Sequence, residues 1–195
     1  MTFAGTKATS WDDWRTNIAQ AFGIQGVNQY IWAKDIAIAL ESNSNFNLSN
    51  TYVAGHSLGG GLASAASMMS GFHAYTFNAA GLHQDTVYNN TNLANAALLV
   101  DSYRVDYDIL SWGQWIPGWL NYVLGTPVPD AIGTPITIDS QYDATMTLAG
   151  ITTVAGLVFQ LYPVAGLGGV AIVGQGVMCH LMDQVIYGME QRIFD

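Results

Sequence analysis

Short apolar runs alternate with stretches of helical spacing along the first half of the chain. Residues Met1 to Ala4 predict a strand that Gly5 closes, and Ser10 to Asp13 have the Ser-x-x-acid pattern of a helix start. A second helix is expected from Val27 to Glu41, with one broad buried face. The apolar residues assigned to that face are Ile31, Trp32, Ala33, Ile36, Ile38 and Leu40.

The pattern then continues in the order strand, helix, strand. Residues Leu48 to Ala54 predict a strand, the small residues up to about Ser70 a helix, and Phe72 to Phe77 a buried strand. A further strand is expected at Tyr103 to Val105, after a helix end or loop at Ala94 to Val100. This order indicates an α/β fold, in which a mainly parallel sheet carries helices on both faces.

The length of 195 residues predicts one domain, residues 1–195, with a sizeable core. Because a fold rarely starts on a central strand, residues 1–4 indicate a domain cut from a longer protein or an N-terminally trimmed version of its fold. Residues 1–20 have no apolar core behind a basic start, so no secretory signal peptide is predicted. Cys179 is the only cysteine, so an intramolecular disulfide is excluded. The cellular compartment stays open, and export by a route other than a secretory signal peptide is one of the options.

The composition is apolar and acidic. Hydrophobic residues make up 50% of the chain, and only 10% of the residues are charged. The formal net charge is −9, and Lys and Arg together number 5. Nucleic acid is therefore excluded as an expected partner, because phosphate binding needs clustered positive charge. The negative charge also disfavours electrostatic attraction to anionic membranes, so contact with lipid would have to be hydrophobic.

The sequence Gly55-His56-Ser57-Leu58-Gly59 lies between a predicted strand and a predicted helix. In that context Gly-x-Ser-x-Gly is typical of the nucleophile elbow of serine hydrolases, where the serine occupies a sharp, strained turn. Glycines two residues before and after the serine let the strand and the helix approach closely. Ser57 is therefore the predicted nucleophile, and a glycine-rich turn without chemistry is the competing interpretation.

A serine nucleophile needs a histidine base and an acid that holds the histidine's tautomer, in the chain order Ser, acid, His. Of the four histidines, His180 leaves room for an acid after Ser57, and His83 is the other downstream histidine on a predicted loop. Asp108, just past a strand, is the preferred acid, because catalytic groups collect at that edge of an open sheet. Asp106 stays open as the alternative acid. Further candidates for the acid are Asp101, Asp139 and Asp143.

An oxyanion hole needs two backbone N–H groups aimed at the charge that develops on the substrate. Leu58, the residue after the nucleophile, supplies one of them. The second is expected from the loop after the first strand, Phe3-Ala4-Gly5-Thr6, where Thr6 can also add its hydroxyl.

These segments resemble the class 3, or fungal-type, lipase family. Phe3-Ala4-Gly5-Thr6 and the following Asp13-Trp14 are similar to that family's Phe-Arg-Gly-Thr and Asp-Trp, and Gly55 to Gly60 is similar to its elbow. Thr76 to Gly81 resembles its next strand, and Tyr103 to Ile109 its acid strand. The resemblance covers roughly residues 3–110 and implies an α/β-hydrolase fold. The site residues that it implies are Ser57, Asp108 and His180 as a catalytic triad, with Thr6 and Leu58 at the oxyanion hole.

The chain departs from that family in two respects. Ala4 replaces the usual Arg, which removes a charge beside the oxyanion loop, and the family's upstream strands and helix are absent. The apolar, glycine-rich tract before His180 is loosely similar to bacterial lipase-like toxins, including phospholipase effectors.

Two apolar regions lie outside these motifs. Residues 111–135 are rich in Trp and Pro, and predict either a packed excursion over the core or a lid or acyl-binding wall. Residues 148–178 carry no charged side chain and have the length of a membrane span. Pro163, scattered glycines and the absence of flanking Lys or Arg favour buried core helices instead. The alternatives are a membrane-docking or lid element and, less favoured, a true membrane span.

The sequence thus predicts a serine hydrolase that cleaves carboxylic ester bonds of lipids through an acyl-enzyme, such as a lipase, an esterase or a phospholipase. No cofactor and no metal are expected, the substrate is a lipid or another hydrophobic ester, and contact with a lipid interface would be transient. The alternatives are a phospholipase-type effector toxin, an acyltransferase with the same elbow, and a non-enzymatic membrane-active protein that uses residues 148–178. Acyl length, head group and oligomeric state stay open.

Overall fold

The structure is a computed structural model that describes residues 1–5, 27–82, 86–87, 95–108, 111, 130–141 and 179–194. These residues fall into two compact units, the first within Met1–Tyr103 and Gln114–Ile136, the second within Arg104–Gly113 and Thr137–Asp195. The helix predicted at Ser10, most of region 111–135 and the whole of tract 148–178 lie outside the described residues. Within the described part of the chain, no helix is long and apolar enough to cross a membrane.

Five strands form one sheet in the order in which they follow along the chain. They are β1 (Thr2–Phe3), β2 (Tyr52–His56), β3 (His73–Phe77), β4 (Val100–Val105) and β5 (Thr134–Ile138). The pairs β1–β2, β2–β3 and β3–β4 are parallel, so each strand needs a crossover to reach its neighbour. The helices are α1 (Val27–Glu41), α2 (Leu58–Ser70), α3 (Ala96–Leu99) and α4 (Met182–Phe194). The predicted α/β fold is confirmed.

A fully buried cluster joins the sheet to α2. Its members are Val53 of β2, Ala74 of β3, Val100 of β4, Ala63 of α2 and Phe72. Because successive strand residues point to opposite faces, the residues between these strand positions turn away from α2. The cluster holds α2 against β2, and Ser57 lies at the junction between these two elements.

The first long helix, α1, has the predicted bounds, but three of the six residues predicted for its buried face are exposed. Trp32, Ile36 and Ile38 are 62%, 49% and 38% exposed, respectively. The residues of α1 that are buried include Ala33 and Ala37, which are 2% and 0% exposed. The small side chains face inward, and three of the large apolar ones reach the surface.

Close packing of α1 on α2 explains this choice. The Tyr30 hydroxyl lies 2.5 Å from the position that a Cβ on Gly61 of α2 would occupy, so the two helices meet where one has no side chain. Lys34 is also on the inner side, and its Nζ donates a hydrogen bond of 2.6 Å to the Thr86 carbonyl. That bond satisfies a cation that would otherwise be costly to bury.

The pattern along the chain does not predict β5 or α4. Pro135 lies inside β5, and a proline within a run of residues argues against a central strand. In the second unit, the Asp106 N–H donates to the Ile138 carbonyl at 3.0 Å. A Cβ on Gly188 of α4 would lie 3.0 Å from the Ile138 Cβ, so α4 packs closely against the end of this strand.

Candidate active site

Ser57 occupies the single-residue turn between β2, which ends at His56, and α2, which begins at Leu58. Its backbone has φ 57° and ψ −126°, a region that residues with a side chain rarely adopt. Such a conformation costs on the order of 1–3 kcal/mol and persists only where the surroundings hold it. The side chain of Ser57 does not cap the helix that follows it. This is the geometry of a nucleophile elbow.

The glycines of the pentapeptide are required by contact. A Cβ on Gly55 would overlap the carbonyl of Gly59, and a Cβ on Gly59 would overlap the carbonyl oxygen of Phe3 in β1. Any side chain at either position would therefore separate the strand from the helix, or β1 from the elbow. The steric reason expected from the sequence is present at both positions.

Backbone hydrogen bonds hold the strained turn from two sides. The Ser57 N–H donates to the Phe77 carbonyl at 3.0 Å, and the Ser57 carbonyl accepts from the N–H of Ala80 at 2.9 Å. The same carbonyl accepts from Gly60 and Gly61 in the first turn of α2, at 2.9 and 3.2 Å. These contacts tie the serine to the end of β3, so its position does not depend on its own φ and ψ preferences.

Leu58 is the first residue of α2, where a helix leaves N–H groups without partners inside the helix and concentrates positive partial charge. An N–H at such a position is suited to binding an oxyanion. Thr6, the other residue predicted for the oxyanion hole, lies outside the described residues, whereas Gly5 before it is described.

Asp108 lies in the second unit, at a turn just after β4. The turn contains Tyr107 with φ 64°, and the Asp108 N–H donates to the Val105 carbonyl at 3.1 Å. The residue is fully buried, and its Oδ2 accepts a 2.7 Å hydrogen bond from the Ser111 N–H. A buried carboxylate needs such partners, because removing it from water is costly.

His180 is the second partner of Asp108. Its Nδ1 lies 2.5 Å from Asp108 Oδ1, and the histidine is itself only 2% exposed. A carboxylate only accepts hydrogen bonds, so Nδ1 donates and Nε2 is left as the acceptor nitrogen of the neutral ring. The pair therefore has the arrangement in which an acid fixes the tautomer of a general base.

The structure brings together two of the predicted triad residues, Asp108 and His180, in the second unit, and places Ser57 in the first. Asp106, the alternative acid, bonds through its backbone N–H to β5. A second His–Asp pair joins His73 Nε2 to Asp101 Oδ2 at 3.2 Å, with side chains that are 30% and 32% exposed. The side chains of this pair are more exposed, and the distance between them is longer, than in the buried pair. His83 and Asp143 lie outside the described residues.

Ser111 is a contributor that the sequence did not indicate. Its backbone N–H occupies one oxygen of Asp108 and leaves the other for His180. Any residue but proline can supply a backbone N–H, so side-chain chemistry gives no signal for it. The spacing of three residues after a turn aspartate is the one local hint, since such aspartates often accept nearby backbone hydrogen bonds.

The sequence is similar to those of known proteins. The family model for Tle-like phospholipase domains, described as phospholipase-like, matches residues 1–154. The chain belongs to the Tle-like phospholipase domain family. This Tle-like domain is also 37% identical over 158 residues to an extracellular phospholipase A1 of Serratia liquefaciens. That match covers 77% of the chain and 44% of the relative, so the chain spans less than half of the relative's length.

The family match bears on the expected resemblance. It supports a phospholipase or lipase-like family and does not single out the class 3 lipases. Ser57 and Asp108 lie inside the matched residues 1–154 of the Tle-like domain, whereas His180 lies beyond them. Assignment of His180 to the site therefore depends on its contact with Asp108.

Proposed function

We propose that this Tle-like domain hydrolyses carboxylic ester bonds of phospholipids, with Ser57, His180 and Asp108 as the catalytic triad. The observation that carries the proposal is the strained backbone of Ser57 at the turn between β2 and α2. The family match and the name of the Serratia liquefaciens relative support a phospholipid as the substrate.

In this mechanism His180 Nε2 takes the proton of the Ser57 hydroxyl while Oγ attacks the ester carbonyl carbon. The carbonyl oxygen becomes an oxyanion, which the N–H groups of Leu58 and Thr6 stabilise. Asp108 keeps the proton on Nδ1 and stabilises the imidazolium that forms. Removing one oxyanion donor typically costs about 10²–10³-fold in kcat.

The tetrahedral intermediate then breaks the bond to the alcohol oxygen, which takes the proton from His180 and leaves as the lysophospholipid. A water molecule attacks the acyl-enzyme, and His180 accepts its proton. The second tetrahedral intermediate breaks its bond to Ser57 Oγ, which takes the proton back from His180, and the fatty acid is released. Each step moves one proton between oxygen and Nε2, and no external redox partner is needed.

The direct test compares Ser57→Ala with wild type on p-nitrophenyl butyrate and on mixed micelles of phosphatidylcholine. We expect hydrolysis and fluorophosphonate labelling to be lost in the Ser57→Ala protein. Ser64→Ala, in the helix that follows Ser57, is a matched control, because Ser64 Oγ is buried and has no hydrogen-bond partner among the described residues. Its loss should leave activity within about twofold, since removing an unpaired hydroxyl is close to neutral.

Analysis of the reaction products distinguishes a phospholipid hydrolase from an acyltransferase. Release of one fatty acid and a lysophospholipid from phosphatidylcholine with two different acyl chains would show which ester is cut. Transfer of the acyl group to an added alcohol, in preference to water, would indicate an acyltransferase. Wild-type protein that neither labels nor hydrolyses any of the esters would refute the proposal.

A further inference from the structure

A cavity of about 490 Å³ lies in the first unit, beside the elbow. Its lining comes from the end of β1 and from one side each of α1 and α2. The large apolar side chains in that lining are Phe3, Trp32, Ile36, Leu58 and Leu62. Gln29, an exposed residue of α1, adds an amide. The volume falls in the range of about 300–1,000 Å³ that is typical of small-ligand pockets.

The cavity is continuous with the residues that surround the nucleophile. Leu58, which lines it, directly follows Ser57 in the chain. Gly5, also in the lining, lies against the elbow, because a Cβ there would be 2.7 Å from the His56 carbonyl oxygen. An ester carbonyl placed at the Leu58 N–H therefore has this cavity next to it.

The α1 wall of the cavity has an unusual surface for a helix. Gln29, Trp32, Ala33 and Ile36 are spaced three or four residues apart, which puts them on one face. Trp32 and Ile36 stay 62% and 49% exposed, whereas Ala33 below them is 2% exposed. One small buried residue, Ala33, between two large exposed apolar side chains, Trp32 and Ile36, leaves a slot that suits an apolar chain.

We propose that this cavity binds the acyl chain of the ester that Ser57 attacks, and that Trp32 and Ile36 determine which chain lengths are preferred. The inference rests on the proposed function and adds a specificity site to it. Among the residues that the structure describes, the lining includes no charged side chain, so it suits the hydrocarbon chain better than a charged head group. Each buried methylene should raise kcat/KM by roughly fourfold until the slot is full.

The test uses p-nitrophenyl esters from acetate to palmitate. Ile36→Trp adds bulk at the rim, and should lower kcat/KM for the laurate ester by at least tenfold relative to the acetate ester. Ile38→Trp is the matched control, since Ile38 lies on the same helix, is 38% exposed and is not in the lining. Trp32→Ala removes part of the wall, and should reduce the gain in kcat/KM per added methylene.

A binding measurement keeps this site separate from the chemistry. Dodecanoate titrated calorimetrically into the Ser57→Ala protein should bind, and adding Ile36→Trp should weaken that binding by at least tenfold, whereas Ile38→Trp should not. Identical chain-length profiles and identical dodecanoate affinities for the Ile36→Trp and Ile38→Trp proteins would overturn the inference. Dodecanoate binding that depends on Ile36, in a wild-type protein without esterase activity, would support the site and refute the proposed function.

Discussion

Replacement of Asp108 by Asn tests the catalytic role of the buried pair most sharply. Asp108 accepts from the Ser111 N–H through Oδ2, and pairs with His180 Nδ1 through Oδ1, at 2.7 and 2.5 Å. An Asn side chain has the same shape, but one of its two terminal atoms is a donor. The residue is fully buried, so water cannot repair a mismatch.

Both orientations of the Asn amide are unfavourable. With its oxygen toward Ser111, its NH₂ donates to His180 Nδ1, the proton moves to Nε2, and the imidazole cannot accept the serine proton. With its oxygen toward His180, two donors face each other at Ser111, which leaves a buried N–H unsatisfied at a cost of about 1–3 kcal/mol. The first orientation avoids that cost, and we expect it to dominate.

We therefore expect Asp108→Asn to lower kcat by about 10⁴-fold, which corresponds to about 5.4 kcal/mol of transition-state free energy. The assay is p-nitrophenyl butyrate hydrolysis at pH 7–8, with thermal unfolding to show that the fold is kept. Asp101→Asn is the matched control, because Asp101 also pairs with a histidine but is 32% exposed in its side chain. Its kcat should stay within about twofold of wild type, since exposed ion pairs contribute little.

Three results bear on the reasoning. Asp108→Asn activity within tenfold of wild type would refute the role of the buried pair. A larger loss for Asp106→Asn than for Asp108→Asn would move the acid to the alternative residue. Equal losses for Asp101→Asn and Asp108→Asn would mean that the burial of the pair does not matter.

Further predictions follow from the elbow and from α1. Ser57→Gly should abolish ester hydrolysis. It should also raise the free energy of unfolding by about 1–2 kcal/mol, because glycine adopts positive φ without strain. Urea denaturation measures the free energy of unfolding, and a lower value for the variant than for wild type would contradict this prediction. Gly59→Ala should lower the free energy of unfolding by about 3 kcal/mol, because the added Cβ would overlap the Phe3 carbonyl oxygen. An unchanged midpoint of thermal unfolding would contradict this prediction. Burial raises the pKa of Tyr30 from 10.0 to about 12, so the neutral phenol is favoured in the folded state. The contribution of the neutral Tyr30 phenol to the free energy of unfolding is fully present below pH 10 and is lost as the pH rises to about 12. The loss amounts to at most about 2.7 kcal/mol. Tyr30→Phe should flatten the fall in stability over that pH range, and curves that stay parallel would refute the assignment.

The parts of the fold that local sequence determines were predictable. The bounds of α1 and the succession of β2, Ser57 and α2 depend on patterns within a few residues, and both were expected. Strand β5 was not expected. Pro135 lies within it, and a proline argues against a strand unless that strand is known to lie at the edge of the sheet. The prediction for the buried side of α1 was wrong at Trp32, Ile36 and Ile38, because close approach to Gly61 favours small side chains on that side over large apolar ones.

At the candidate site, too, contacts between residues distant in the chain decided what the sequence left open. Sequence gave reasons to prefer Asp108 and His180, but Asp106 stayed open because the two aspartates are neighbours on one turn. The contact that separates them joins residues 72 apart in the chain. The two aspartates flank Tyr107, whose φ of 64° turns the backbone between them, and a turn of this kind is not predictable from residue types that rarely adopt positive φ.

The conformation of Ser57 carries more information than the pentapeptide around it. A glycine-rich turn without chemistry would place its strained φ on a glycine, which tolerates it at almost no cost. Here glycines occupy positions 55, 59, 60 and 61, yet the positive φ falls on the serine between them. The chain thus accepts strain of on the order of 1–3 kcal/mol to keep a side chain where glycine would be more stable. A turn without chemistry has no need of a side chain at this position, so the strain at Ser57 supports the proposal that its hydroxyl acts in catalysis.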